Sequence, residues 1–233
     1  MVFSSTLFLC YFLPIFLVVY YITPSKFRNW TALLFSLGFY AWGAPIFVFF
    51  LLASCVIDFF LIKGFNGDKR KLWLTFSLIL NVGLLGYFKY ANFFVENLNT
   101  VVGGQVFDWK EVVLPIGISF FTFQKISYAL DVYWKKNERL KQFQDYLLYI
   151  ALFPQLIAGP IVRFRDVADQ IKDRTKYENY EMRLNGAFRF MIGLAKKVLI
   201  ANVMAAEVAE IYDVYAETPE VISSTSAWIV AIA

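Results

Sequence analysis

Residues 1–25 carry no charge, and residues 6–22 form an apolar run long enough to span a membrane, since crossing a roughly 30 Å hydrocarbon core takes about 20 helical residues. The run lacks a basic start and a small-residue cleavage site, so an uncleaved helix is expected. Lys26 and Arg28, the first cations, follow it. Residues 29–57 are again uncharged, but Gly43-Ala44-Pro45 interrupts them. A proline breaks a continuous helix, so the pattern predicts two helices joined by a tight turn, the second ending near Ile62. A basic loop follows, with Lys63, Lys69, Arg70 and Lys71 around Gly64 and Gly67. Residues 72–88 predict a fourth span. The polar stretch 89–111, with Asn92, Asn97, Asn99, Gly103 and Gly104, reads as a connecting loop, in part an interfacial helix.

The pattern then changes. Residues 112–124 are apolar over too short a distance to cross alone, carry Pro115 and Gly117, and lead into Lys125, Asp131 and the cations Lys135, Lys136, Arg139 and Lys141. A tilted or broken helix lined by protein tolerates such groups at depth. Residues 146–162 are uncharged but hold Pro154, Gln155, Gly159 and Pro160, which predicts a re-entrant segment. Residues 163–183 mix both signs of charge and read as a polar segment on the cytoplasmic face. A helix over 184–206 with Arg189, Lys196 and Lys197 comes next, and then an acidic stretch, 207–220, expected outside. The cationic loops place the amino terminus outside and the basic connectors inside. From Ala227 to Ala233 a hydrophobic helix starts and stops after about two turns, too short to span, so truncation is expected. The expected fold is all-α: one integral membrane domain over 1–233, a polytopic helical bundle of about six to eight embedded segments, some broken or re-entrant.

Composition supports this reading. The chain is 59% hydrophobic, 20% aromatic and 17% charged, with a mean hydropathy of +0.56, too apolar to clothe a soluble surface. A net charge of +4, confined to short connectors, gives no basic face for nucleic acid. Cys10 and Cys55 each sit alone in an apolar run, so buried thiols are expected, with no disulfide and no metal site. Trp30, Trp42, Trp73, Trp109 and Trp134 fall near span ends and read as interfacial anchors. Histidine is absent, so these residues supply no imidazole base. A P-loop, a dinucleotide-binding glycine motif, a nucleophile elbow and a zinc-protease motif are absent too.

Chemistry is therefore sought among polar groups at membrane depth. Gln124, Tyr128 and Asp131, spaced four and three apart, share one helix face, with Ser127 beside it. They could line a substrate passage or lock helices together by hydrogen bonds. Pro154, Gln155, Gly159, Pro160 and Arg163 mark a second cluster, either a cavity-lining loop or a bend at the interface. Asp58, a turn from the helix end and beside Lys63, reads as a snorkelling or paired surface carboxylate.

The runs Leu114-Pro115-Ile116-Gly117-Ile118-Ser119-Phe120, continuing through Gln124, Ser127, Tyr128 and Asp131-Val132-Tyr133, and Phe153-Pro154-Gln155-Leu156-Ile157-Ala158-Gly159-Pro160-Ile161 carry a family resemblance. Together with Met1-Val2-Phe3-Ser4-Ser5, Asn29-Trp30 and Tyr40-Ala41-Trp42, they resemble the amino-terminal portion of membrane-bound O-acyltransferases, and within them the alginate O-acetyltransferase-like branch. The resemblance implies a bundle around a central funnel in a bacterial inner membrane. It implies a histidine, located in a later segment, that assists acyl transfer to a hydroxyl. It further implies acetyl-CoA as donor with no resident cofactor, and passage of acetyl across the membrane. Periplasmic acetyltransferase partners would then esterify an exported polysaccharide, alginate, another polymer or a teichoic acid. No catalytic residue carries over to this sequence. Gln124, Tyr128, Asp131, Gln155, Gly159, Pro160 and Arg163 are implied to shape the funnel or its cytoplasmic mouth. A polytopic transporter or a non-catalytic membrane subunit would share many of these features.

Overall fold

The computed structural model describes residues 3–102, 104, 109–156, 161–174, 179–217 and 228. Gly159 and Pro160, and the hydrophobic run that ends the sequence apart from Trp228, lie outside the described residues. All regular structure among the described residues is helical. The chain divides into two compact units, one formed by Phe12–Thr175 with Met1, the other by Val2–Tyr11 and Lys176–Ala233.

In the larger unit, α1 (Leu13–Ile22) leads to α2 (Arg28–Gly43) and α3 (Pro45–Lys63). The expected break lies at Ala44, whose φ of −152° and ψ of 69° leave the helical region. Its N–H donates to Tyr40 O at 2.9 Å to close α2, and its carbonyl accepts from Phe47 N at 3.1 Å to open α3. Pro45 occupies the first turn of α3, where no intrahelical donor is needed.

Helix α4 (Arg70–Val102) runs for 33 residues, so the helical part of the stretch 89–111 is a continuation of the fourth span as far as Val102. Polar residues do not end a helix by themselves, and residues 87–102 contain no glycine or proline. Asn97 Nδ2 donates to Phe93 O at 2.7 Å and Thr100 Oγ1 to Glu96 O at 2.8 Å, so side chains on this stretch are satisfied along the helix itself. Part of the remaining connection folds back on it. Asn92 donates to Val112 O and accepts from Val112 N, both at 2.9 Å, and Trp109 Nε1 donates to Asn92 Oδ1 at 3.0 Å.

Helix α5 (Ile118–Tyr133) starts after Gly117, whose φ of 78° is a left-handed conformation that favours glycine. It packs on α4, α3, α6 (Phe143–Ala151) and α8 (Phe164–Lys172). Leu152 leaves the helical region at ψ 116°, separating α6 from the single turn α7 (Phe153–Leu156), so this segment is broken as expected. Helix α8 buries Phe164, Ala168 and Ile171, spaced four and three apart. The polar segment read from 163–183 is therefore in part a docked amphipathic helix. Asn29 Nδ2 holds it by donating to Ile171 O at 2.9 Å, and the same amide lies 3.2 Å from Asp145 Oδ1. Burial pushes the Asp145 carboxyl up, opposed by the Asn29 hydrogen bond and the Arg174 charge.

These contacts gather the basic connectors at one end of the unit. Asn29 ties the start of α2 to the start of α6, and Arg70 lies 5.1 Å over the Tyr133 ring, joining the α3–α4 turn to the end of α5. The five tryptophans expected at span ends are all exposed.

Among the described residues, two helical stretches, Pro45–Asn66 and Arg70–Val102, are long and apolar enough to cross a membrane, yet only 28% and 11% of their most apolar windows are buried. Ile46, Phe49 and Phe94 point outward, while Ser54, Asp58, Ser77, Asn81, Gln124 and Lys125 are buried. A water-soluble protein does not present such an apolar exterior around a polar interior, whereas a protein embedded in lipid does.

In the smaller unit, α9 (Tyr180–Ala195), a π-helical turn (Lys196–Ala201) and α10 (Asn202–Glu217) follow one another. Asn179 caps α9 by accepting from Met182 N at 2.7 Å, so the helix begins four residues earlier than its apolar pattern indicated. The acidic residues Glu207, Glu210 and Asp213 continue that helical stretch. Cys10 is exposed, contrary to expectation, and Cys55 is buried. A thiol is weakly polar and tolerates an apolar exterior face.

Candidate functional site at the Asp58–Lys125 cluster

On α5 the expected stripe exists. Gln124 and Tyr128 are each 1% exposed and Asp131 is 7% exposed, all on the face turned into the bundle. Tyr128 Oη accepts from Leu140 N at 2.7 Å, which pins the connector between α5 and α6. Gln124 Oε1 and Asp131 Oδ2 are buried without a hydrogen-bond partner among the described residues.

A denser cluster lies beside the stripe, where the sequence pattern did not place one. Asp58 is fully buried, which corrects its reading as a surface carboxylate paired with Lys63. Its carboxylate accepts from Ser77 Oγ, from Asn81 Nδ2 at 3.0 Å and from Tyr146 Oη at 2.7 Å. Asn81 Nδ2 also donates to Ser77 O at 2.9 Å, orienting the pair of α4 donors. The cluster thus draws on α3, α4 and α6. One turn earlier on α3, Ser54 Oγ accepts from Lys125 Nζ of α5 at 3.2 Å and donates to Leu51 O at 2.9 Å. Lys125 is fully buried, its ammonium 5.6 Å over the Phe121 ring. Cys55 is buried on the same face of α3. A buried carboxylate and a buried ammonium each demand compensation; three hydrogen-bond donors supply it on one side, a hydroxyl and an aromatic face on the other. Such ionisable groups at helix depth are functional candidates because hydrocarbon excludes them elsewhere.

One sequence signal could have found this cluster. Ser54 and Asp58 on α3, and Ser77 and Asn81 on α4, are i, i+4 pairs within otherwise apolar runs. Each pair marks a helix face that must meet polar partners.

The second expected cluster is held from α6. Gln155 Nε2 donates to Tyr149 O at 3.1 Å, and Tyr149 Oη donates to Val162 O at 2.9 Å, so one buried tyrosine fastens both flanks of residues 157–160. Gln155 is half-buried, and Arg163 is exposed at the start of α8. Rings connect this region to the stripe: Tyr128 meets Phe164 at 4.8 Å, Tyr146 at 5.1 Å and Tyr149 at 6.1 Å. Tyr146, which meets Tyr128 at the centre of this ring set, is also the Asp58 donor.

The chain is 40% identical over 213 residues to the probable alginate O-acetylase of Azotobacter vinelandii, covering 88% of this chain and 42% of that protein. It is 40% identical to the protein of the same name in Pseudomonas aeruginosa, covering 88% of this chain and 41% of that one. The peptidoglycan O-acetyltransferase of Helicobacter pylori is 36% identical, covering 87% of this chain and 45% of that protein. No family profile matches the chain, and no solved structure does. These identities, over nearly the whole of the chain, are to proteins named for O-acetylation of alginate and of peptidoglycan, and they carry the membrane-bound O-acyltransferase-like resemblance. More particularly, it matches the amino-terminal part of the proteins named alginate O-acetylase and peptidoglycan O-acetyltransferase, and spans about two fifths of their length.

Proposed function

We propose that this chain forms the amino-terminal side of a multi-pass inner-membrane O-acetyltransferase that passes an acetyl group across the membrane for esterification of an exported cell-envelope polysaccharide. The observation that carries the reading is the 40% identity to alginate O-acetylases over 88% of the chain. The gathering of basic connectors at one end supports a cytoplasmic face there and an amino terminus outside. Acetyl-CoA is the donor we assign. A neutral hydroxyl is a poor nucleophile toward a thioester and needs a base as it attacks. These 233 residues contain no histidine, so an imidazole base for that step comes from outside them. The residues described here then position helices: Asp58 and Lys125 fix α3, α4, α5 and α6 around the stripe of Gln124, Tyr128 and Asp131. Gln155 and Arg163 flank the segment containing Gly159 and Pro160 at the cytoplasmic mouth. Periplasmic acetyltransferases and their polysaccharide are the partners this reading assigns.

The test uses inside-out membrane vesicles from cells producing the full-length protein, its periplasmic partners and the polymer, supplied with acetyl-CoA carrying a labelled acetyl group. Label should enter the polysaccharide in alkali-labile form, and not in vesicles lacking the protein. Equal labelling in both would overturn the proposal.

A further inference from the structure

The connector between α5 and α6 carries a feature that the helix-positioning roles of Asp58, Lys125 and the α5 stripe do not use. A cleft of about 510 Å³ opens there, lined by Lys135, Arg139 and Lys141 together with Asn66, Asn137 and Glu138. That volume lies in the range of pockets that hold small organic ligands. Three cations face one carboxylate, and none of the three is ion-paired among the described residues. The Asn137 amide nitrogen is buried without an acceptor among the described residues. An unpaired buried donor is costly, and an incoming acceptor would satisfy it. The walls are held firmly: Leu140, 2% exposed, donates its N–H to Tyr128 Oη at 2.7 Å, and Lys136 N donates to Asp131 O at 2.9 Å. Just before the Lys136 anchor, Lys135 sits at φ 56°, the sole non-glycine with positive φ among the described residues. That is the place after a helix where glycine is the usual residue, so a lysine there bears backbone strain. The α5 dipole explains one cation at its carboxyl end, but not three around an unpaired amide donor.

We propose that this cleft binds a phosphate-bearing ligand, with Lys135, Arg139 and Lys141 neutralising the phosphate and Asn137 donating to one of its oxygens. Planar guanidinium and ammonium donors together suit a phosphate group, and three cations outweigh the one carboxylate of Glu138. The phosphate can belong to a soluble phosphorylated molecule or to the headgroup of an anionic phospholipid.

The experiment compares the full-length wild-type protein with an R139Q/K141Q variant and with R165Q/K172Q, which removes equal charge from α8. Binding of inorganic pyrophosphate to detergent-purified protein is followed by calorimetry. Phosphatidylglycerol retained from mixed phosphatidylcholine–phosphatidylglycerol nanodiscs is counted by native mass spectrometry. Loss of about tenfold in pyrophosphate affinity in the cleft variant alone identifies a soluble phosphate ligand, and selective loss of retained phosphatidylglycerol identifies a lipid. If the wild type binds neither probe, or if both variants lose binding equally, the proposal is overturned.

Discussion

Tyr146 of α6 donates to the Asp58 carboxylate of α3 at 2.7 Å, closing a contact between residues 88 positions apart. Because Ser77 and Asn81 of α4 bond the same carboxylate, one buried group sets the relative position of three helices. Lys125, one turn of α3 away at Ser54, adds a fourth.

Removing one member of such a set leaves another buried charge less compensated. Asp58→Ala should destabilise the protein by about 3–5 kcal/mol, and Tyr146→Phe, which removes one donor to a charged acceptor, by about 1.5–3 kcal/mol. Thermal unfolding of purified protein, read by the loss of its monodisperse chromatographic peak, measures this. The double variant D58N/K125M should be more stable than the sum of its single-variant losses indicates, because neither charge remains. Simple additivity would refute the coupling of Asp58 to Lys125.

At the turn between α3 and α4, a Cβ on Gly64 would lie 2.7 Å from the Trp73 ring, whereas one on Gly67 would meet only Gly64 O at 3.8 Å. Gly64→Ala should therefore cost about 1–3 kcal/mol and Gly67→Ala much less. Equal thermal stability of the two variants would contradict the close packing of Trp73 on Gly64.

Gly117 holds φ 78° at the start of α5. An alanine there should cost about 1–2 kcal/mol through left-handed backbone strain. Hydrogen exchange should quicken in the first turn of α5 of the Gly117→Ala variant while α2 keeps its wild-type rates.

Asn92 makes hydrogen bonds to both backbone groups of Val112 and accepts from Trp109. Asn92→Ala should release this connection, which added protease would then cut faster between residues 109 and 117 than in the wild type. Unchanged cleavage would show that the Asn92 bonds do not restrain it.

The sequence pattern made some of this visible and hid the rest for physical reasons. The break at Ala44 was legible because proline acts locally, and the face shared by Gln124, Tyr128 and Asp131 was legible because helical spacing fixes it. The length of α4 was not, since the asparagines and charges of 89–102 mark polarity and not a helix end, and the Asn97 and Thr100 side chains bond along the helix. The burial of Asp58 was hidden as well. Its distance from the basic loop matched a surface residue, and its real partners, Ser77, Asn81 and Tyr146, come from two other helices. Such pairings are long-range and leave only the i, i+4 spacing of polar residues as a trace.

The central claim is participation in O-acetylation of a cell-envelope polysaccharide, and the ester-linked acetate on that polymer tests it most directly. The measurement compares polymer from cells lacking the gene with polymer from the same cells carrying it, by alkaline release of acetate. The account predicts loss of acetate on deletion and its return with the wild-type gene. Unchanged acetate in the deletion strain would contradict it.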